Sequence, residues 1–367
     1  MAESSVGGVF WGYFATVVNY ALSLLYVVFL TRFIPLSDYG YYNAFVALAG
    51  LLSLLFPSLG IDMAIAREGA SSGEPRRYFA ALLAVALALS TAYSAALLAV
   101  TPFVLRDAPP GFFWVVLLYA AYSWLMGVLN AFRGYLWMAG MLSSLGRGET
   151  LRYLVFRGSQ PLLIIAVKSV LAIAASMFLG AVAQLAYYLK LARPVRPSFE
   201  VLRGKLRRLV ASGVQYWLVS YLGSAGTSAV SFLVFVSLGA EASGLYGLAV
   251  YILGFFTAVG GSASNVFASR LARGASPGVL RDYASASVAV SGLLSLIGAA
   301  GAPLLIYLGI VHGDYEGAVQ YASLLLGTSI LSSLSSLYPY YFWVGGRGLL
   351  AVAGTAVGVA AGLASAF

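Results

Sequence analysis

Runs of about twenty apolar residues follow one another along almost the whole chain, and this feature limits the fold more than any other. A helix needs about 20 such residues to cross the hydrocarbon core of a bilayer. Hydrophobic residues occupy 61% of the 367 positions and charged residues only 9%, with a mean hydropathy of +0.91. A water-soluble chain would need about a quarter of its residues charged. We therefore predict an integral protein of the cell membrane.

The apolar runs divide the chain into about eleven predicted membrane helices. Strands of a membrane barrel explain them poorly, because barrel segments alternate over about ten residues and these runs are longer and do not alternate. The predicted fold class is all-α and polytopic. The spans are residues 6–30, 41–61, 79–104, 111–131, 150–168, 170–190, 211–237, 244–264, 284–309, 317–341 and 348–367.

The positions of Lys and Arg predict the orientation of the chain. Cytoplasmic loops of membrane proteins carry an excess of these residues. Of the 21 basic residues, all but Arg32, Arg106 and Lys168 fall in one set of loops, which places the N-terminus in the cytoplasm. The first residues, MAESSVGG, lack a basic region, so we expect no cleaved signal peptide. We therefore attribute the net charge of +9 to the basic residues of the cytoplasmic loops and not to a nucleic-acid-binding surface.

The most basic connection, LARPVRPSFEVLRGKLRRLV, follows six predicted helices. We interpret it as a cytoplasmic linker, residues 191–210, between two lobes. The N-terminal lobe, residues 1–190, then holds six helices. The C-terminal lobe, residues 211–367, holds about five.

An internal repeat supports this division. A shift of 204 residues aligns LTRFIPLSDYGYYNAF with FVSLGAEASGLYGLAV, which pairs Gly40 with Gly244 and Tyr42 with Tyr246. Each copy spans the end of the first helix of its lobe, a turn and the start of the second helix. Because six helices separate the copies, the two lobes share one orientation and are related by an axis along the membrane normal.

Polar residues form a stripe on one face of the first predicted helix and of the seventh, at helical spacing. Two explanations remain open. Hydroxyl and amide side chains join membrane helices to one another, or the stripes line a central water-filled cavity. Under the second explanation the candidate substrate-binding residues of the stripes are Thr16, Asn19, Ser23, Ser220, Ser224 and Thr227, and the amide Gln215 of the seventh helix is a further candidate.

The sequence carries few signs of chemistry. No acidic residue lies deep in a predicted span, which disfavours a simple proton or sodium relay. His312 has acidic neighbours in a predicted outer loop, an arrangement more typical of a solvated loop than of a metal site. No Walker loop, dinucleotide fingerprint, HExxH or GxSxG appears, so we expect no enzyme activity, cofactor or metal. The amides Asn130, Gln160, Gln184 and Gln215 are weaker cavity candidates, each more typical of a helix-packing hydrogen bond.

The stretch LTRFIPLSDYGYYNAFVALAGLLSLLFPSLGIDMAIARE resembles a signature of the polysaccharide-export and oligosaccharide-flippase family. That family belongs to the multidrug, oligosaccharidyl-lipid and polysaccharide exporter superfamily, called MOP below. GAEASGLYGLAVYILGFFTAVGGSASNVFASRLAR and WVGGRGLLAV resemble later segments of the same family. The positions that carry the first resemblance are Arg32, Pro35, Tyr39, Gly40, Gly60 and Arg67.

The resemblance implies a MATE-like exporter fold, with two lobes around a central cavity. Family members have twelve or fourteen helices, so the second lobe is expected to lack its last helix. The implied function is translocation of a polyprenyl-phosphate-linked oligosaccharide from the cytoplasmic to the outer leaflet, by alternating access, for surface polysaccharide or glycoprotein assembly. The implied partners are this lipid-linked oligosaccharide, membrane lipids and glycan-assembly enzymes, and we expect a monomer. Arg32 and Arg67 would help hold the phosphate.

Two alternatives to the flippase function are kept. A cation-coupled multidrug exporter of the same superfamily would share the architecture, and a carboxylate in the middle of the membrane would favour it. A membrane-embedded glycosyltransferase or polymerase would need a catalytic cluster in a sizeable loop, which the sequence lacks.

Overall fold

The computed structural model describes residues 5–53, 61–192, 195–272, 278–335, 349–350 and 352–357. In these ranges the chain is helical with short connections, and no strand occurs. Short 3-10 turns lie at Glu200–Leu202 and Gly313–Tyr315. The α-helices are α1 (Ser5–Phe33), α2 (Leu36–Leu52), α3 (Ile61–Ser72), α4 (Pro75–Val104), α5 (Phe112–Met138), α6 (Leu142–Val167), α7 (Leu171–Leu191), α8 (Leu206–Ala272), α9 (Gly278–Tyr307) and α10 (Glu316–Ser335).

Six helical segments in the described ranges are long and apolar enough to cross a membrane. They fall in α1, α4, α5, α7, α8 and α9, and most of their side chains are not buried inside the protein. Such surfaces face lipid in an integral membrane protein, where hydrocarbon replaces water as the solvent. The structure therefore confirms the all-α, polytopic fold class.

The predicted spans 211–237 and 244–264 both lie in α8, which bends between them. Gly239 at the bend has φ 89° and ψ −176°, a conformation open to glycine and strained for residues with a Cβ. Residues 61–72 form the separate helix α3 rather than a loop. The last predicted span, 348–367, lies largely outside the described residues.

The start of α6 differs from the prediction, and the difference matters for the site below. The sequence placed Arg147 and Glu149 in a cytoplasmic loop before a span starting at residue 150. In the structure α6 begins at Leu142, so both residues are helical, and Glu149 is buried. The loop assignment was wrong because charged residues lower mean hydropathy even where the protein interior provides partners for them.

The chain forms two compact units. The first consists of Met1–Ile34 and Leu48–Trp217, and the second of Pro35–Ala47 and Leu218–Phe367. The first half of α2 therefore groups with the C-terminal part of the chain, although its sequence neighbours on both sides belong to the first unit.

The first unit has a hydrophobic core built mainly from α3, α4, α5 and α7. Phe79 of α4 and Leu129 of α5 are fully buried there, and the Phe79 and Phe132 rings meet edge to face at 5.0 Å. Val201 and Leu202, from the connection between α7 and α8, are buried in the same core. The basic connection is therefore partly an element of the first unit.

Polar contacts hold this connection as well, and residues 195–205 are called the linker strap below. The Ser198 amide donates a hydrogen bond to the Ala80 carbonyl at 3.1 Å. Arg77 pairs with Glu200 at 2.9 Å, and Lys205 pairs with Glu68 at 2.6 Å. The hydrogen bond to Glu68 raises the pKa of Lys205. A raised pKa keeps this lysine charged, and its ion pair intact, well above neutral pH.

Candidate functional site

The polar stripe of α1 lies against α6, where it surrounds an arginine. Arg157 donates from Nε to Oδ1 of Asn19 at 3.0 Å and from Nη1 to Oε1 of Gln160 at 3.0 Å. The guanidinium lies 5.4 Å from the centre of the Tyr26 ring and 4.3 Å from that of Phe156. We call these five residues the arginine seam.

The geometry fixes the arginine in place. Asn19 is on the first helix and Arg157 is 138 residues later in the chain, so the bond also ties α1 to α6. Gln160 is fully buried, and its Nε2 has no hydrogen-bond partner among the described residues. An arginine remains charged under all physiological conditions. The seam therefore presents a permanent positive charge and an additional buried donor within an apolar helical unit.

Two further stripe residues lie close to the seam in α1. Ser23 is buried and donates a hydrogen bond to the Asn19 carbonyl at 2.6 Å, within its own helix. Thr16 is half-buried, one turn before Asn19. Toward the start of the same helix, Trp11 faces Arg147 of α6, whose guanidinium lies 5.3 Å from the ring. Two arginines of α6 thus meet α1 along its length.

A second charged cluster joins α5, α6 and α7. Glu149 of α6 accepts bonds from Arg133 of α5, from Arg152 at 2.8 Å and from Gln184 of α7 at 2.9 Å. Gln184 also donates to the Tyr188 hydroxyl at 3.0 Å. We call these residues the Glu149 cluster. Its one carboxylate faces two guanidinium groups, so the cluster carries a net positive charge in the interior of the first unit.

The other predicted site residues are not members of the arginine seam. Arg32 is exposed at the end of α1, roughly two helical turns beyond Tyr26. Arg67 is exposed on α3. Ser224 and Thr227 are exposed on α8 in the second unit, and the Thr227 carbonyl accepts a hydrogen bond from Ser231. The side chains of Gln215 and Ser220 lie outside the described part. The substrate-binding roles of all nine residues stay predictions.

The sequence analysis did not identify the arginine at the centre of the arginine seam, or Glu149 at the centre of the Glu149 cluster, as a candidate site residue. It treated Arg133, Arg147, Arg152 and Arg157 as loop residues that set orientation, whereas α5 and α6 contain all four. The available signal was the spacing of Arg147, Arg152 and Arg157, which lie five residues apart in a stretch that ends in LLIIAV. The prediction that the amides pack helices together holds for Gln184, whereas the hydrogen bonds of Asn130 and Gln160 are to arginines of their own helices. Gln184 makes the expected hydrogen bond between helices.

Comparisons with known proteins show what the chain resembles. The model of a family described as "Polysaccharide biosynthesis protein" matches residues 5–259, well over half of the chain. Among curated proteins, no significant match was found.

Solved structures of low sequence identity share the fold. An inward-facing multidrug resistance MATE family transporter of the MOP superfamily has a TM-score of 0.70 at 15% identity, over 92% of this chain and 83% of that chain. An outward-facing MATE transporter of the superfamily gives 0.65 at 14% identity, over 95% and 84%. A Pyrococcus furiosus Vc1 MOP transporter, described by a pocket of reverse polarity that suggests a different function, gives 0.58 at 16%, over 98% and 94%. The predicted MATE-like fold is thereby confirmed.

Proposed function

The chain belongs to the polysaccharide biosynthesis protein family, and on that premise we propose that it translocates a lipid-linked oligosaccharide from the cytoplasmic to the outer leaflet of the membrane. The polyprenyl tail would remain in lipid while the sugar-phosphate head passes through the protein. We further propose that the protein works by alternating access, in which the path opens to one side of the membrane at a time. We also propose that the N-terminus lies in the cytoplasm.

Physical chemistry explains why such a substrate needs a protein. Burying a hydroxyl without a hydrogen-bond partner costs roughly 2–7 kcal/mol, and burying an unpaired charge costs far more. A sugar-phosphate head therefore crosses bare hydrocarbon at a negligible rate. A path with fixed donors and a fixed positive charge removes most of this barrier, because protein groups replace the lost water.

The arginine seam is the observation that carries the proposal. Asn19 and Gln160 accept hydrogen bonds from two different nitrogens of Arg157, so its charge is held in one orientation. A preorganised guanidinium suits phosphate because its planar fork of donors matches two phosphate oxygens. The surrounding apolar helices strengthen this attraction relative to water. In this proposal Arg157 binds the phosphate, while Thr16, Asn19 and Ser23 face the sugar or support the arginine.

A multidrug exporter of the same superfamily is the second candidate. A carboxylate in the middle of the membrane would favour that alternative, and Glu149 is a buried carboxylate that was not expected from the sequence. However, Arg133, Arg152 and Gln184 already donate to its two oxygens. A carboxylate engaged in this way is poorly suited to bind a cationic drug or a coupling ion. We therefore favour an anionic cargo.

Reconstituted protein in liposomes tests the proposal directly. We expect the wild type to move a fluorescent lipid-linked oligosaccharide between leaflets and Arg157→Ala to lose most of this flux. Arg76→Ala, which removes an exposed arginine from the start of α4, is the matched control and should transport normally. Ethidium efflux in the same liposomes tests the drug-exporter alternative. Normal oligosaccharide flux by Arg157→Ala, at normal protein level, would remove the arginine seam from the transport path.

A further inference from the structure

The linker strap is held at one end of the membrane helices. The apolar helix α4 has 30 residues and is therefore about 45 Å long, whereas a bilayer with its headgroups is about 40–45 Å thick. The first turns of α4 then lie at headgroup level. The strap is bound to these turns, because the Ser198 amide donates to the Ala80 carbonyl and Arg77 pairs with Glu200. The strap is therefore kept at the membrane surface.

Two large apolar side chains are exposed in this region. Phe199 of the strap is 56% exposed and Leu206, at the start of α8, is 50% exposed. Val201 and Leu202, which lie between them in sequence, are buried in the core of the first unit. An apolar side chain at headgroup level can leave water by entering the boundary between headgroups and acyl chains, as the apolar face of an interfacial helix does. The two exposed residues therefore indicate contact with lipid.

The arginines around these two residues have no carboxylate left to pair with. Lys205 already pairs with Glu68, and Arg77 already pairs with both Glu74 and Glu200. Four exposed arginines remain that form no ion pair within the described ranges, namely Arg196, Arg203, Arg207 and Arg208. This region therefore presents an uncompensated positive charge beside its exposed apolar side chains.

We propose that these four arginines, together with Phe199 and Leu206, form a docking surface for the headgroups of acidic phospholipids, which we call the basic face. Anionic lipids attract basic residues next to a membrane helix, and the attraction acts within about a Debye length, roughly 10 Å at 0.1 M salt. A guanidinium also matches phosphate with two parallel donors. The leaflet concerned is the one that the basic loops predict to be cytoplasmic.

Acidic phospholipids fit the basic face better than other anions do. A nucleic acid or an acidic protein would pair with the arginines but would hold Phe199 and Leu206 against a polar partner. Free phosphate would leave both apolar side chains in water. A phospholipid supplies the anionic group and an apolar boundary directly below it. This docking is independent of the proposed transport function, because it can be measured on the protein at rest.

A fluorophore at position 199 tests the docking on the full chain, which contains no cysteine. The variant Phe199→Cys is labelled with bimane, which is uncharged, and placed in nanodiscs of phosphatidylcholine alone or mixed with phosphatidylglycerol. Acrylamide, a neutral quencher, should quench the label about twofold less in the anionic discs. Raising the salt from about 0.1 M to about 1 M shortens the Debye length to about 3 Å and should remove the difference. Equal quenching in the two kinds of disc would overturn the proposal.

Charge variants of the labelled chain test whether the arginines cause the effect. The fourfold variant Arg196→Gln/Arg203→Gln/Arg207→Gln/Arg208→Gln should lose the lipid dependence. The matched control is Arg106→Gln, on the connection between α4 and α5, and it should keep the dependence. The salt comparison needs no charge variant, so it decides the question even if the fourfold variant does not fold. Protection of the label by inorganic phosphate or RNA in phosphatidylcholine discs, without an effect of phosphatidylglycerol, would contradict a lipid-docking surface.

Discussion

Arg157 and Asn19 form a hydrogen bond of 3.0 Å between helices that are 138 residues apart in sequence. Because the acceptor is a neutral amide, this hydrogen bond does not neutralise the charge of the arginine. The asparagine therefore has two roles, which are to hold the arginine in place and to do so without adding a negative charge beside it.

The substitution Asn19→Asp tests those two roles. The carboxylate still accepts from Arg157, so we expect a normal protein level and a melting temperature at least equal to that of the wild type. The new negative charge neutralises the guanidinium, and oligosaccharide flux should fall by about tenfold, equivalent to about 1.4 kcal/mol. Asn130→Asp, which changes the amide beside Arg133 on α5 in the same way, is the control. Undiminished flux in the Asn19→Asp protein would show that the arginine charge is not used.

The Glu149 cluster is predicted to stabilise the first unit rather than to carry cargo. Glu149→Ala leaves two arginines facing each other in the interior, and loss of one partner of a buried pair costs about 3–5 kcal/mol. We expect a strongly lowered melting temperature in detergent, measured by tryptophan fluorescence. Glu200→Ala removes an exposed carboxylate and should melt as the wild type does.

A triple variant sharpens this prediction. Replacing Glu149, Arg133 and Arg152 together by Leu removes the charges and their partners at once, which is often neutral or stabilising in proteins. The triple variant should therefore melt above Glu149→Ala. If the triple variant melts below Glu149→Ala, the Glu149 cluster stabilises the first unit by more than the pairing of its charges.

Arg32 is predicted to assist the phosphate near the outer mouth, and it lies exposed at the end of α1. Arg32→Ala should lower oligosaccharide flux, while Arg106→Ala, which removes another exposed arginine predicted on the same side, should not. Flux is measured in the same liposomes at matched protein levels. Equal flux in the two variants would show that Arg32 is a surface residue without a role in phosphate binding. The corresponding test for Arg67 is Arg67→Ala against Arg76→Ala.

A labelling test can check the predicted orientation, because the chain contains no cysteine and a single thiol can be introduced at a chosen position. Arg203→Cys places a thiol on the exposed linker strap, and Arg106→Cys places one on the connection between α4 and α5. A membrane-impermeant maleimide should label position 106 in intact cells and position 203 only after permeabilisation. The reverse pattern would invert the topology, and with it the direction of transport.

Helix positions were largely predictable because each apolar run must cover the same bilayer thickness. The span predicted at residues 170–190 is α7, Leu171–Leu191. The start of α6 was not predictable in this way. Whether Glu149 belongs to a loop or to the interior depends on Arg133 and Gln184, which come from other helices.

The polar stripe was predictable, whereas its partner was not. Helical spacing alone places Asn19, Ser23 and Tyr26 on one face of α1. Nothing local to α1 indicates that an arginine from α6 meets this face, because residue spacing describes one helix and not the packing of two. Similarly, the repeat pairs Gly40 with Gly244 in sequence, but only the structure shows that the two copies touch.

The linker strap has a consequence for how the protein is made. Val201 and Leu202 fill the core that α3, α4 and α5 begin, although they come after α7 in synthesis. The first half of the chain therefore cannot finish its interior when its last membrane helix leaves the ribosome, and must wait for the residues up to Lys205. A gene divided at residue 190 would yield a half-protein whose core lacks Val201 and Leu202, whereas a cut inside α8, near Trp217, would keep the linker strap with that half.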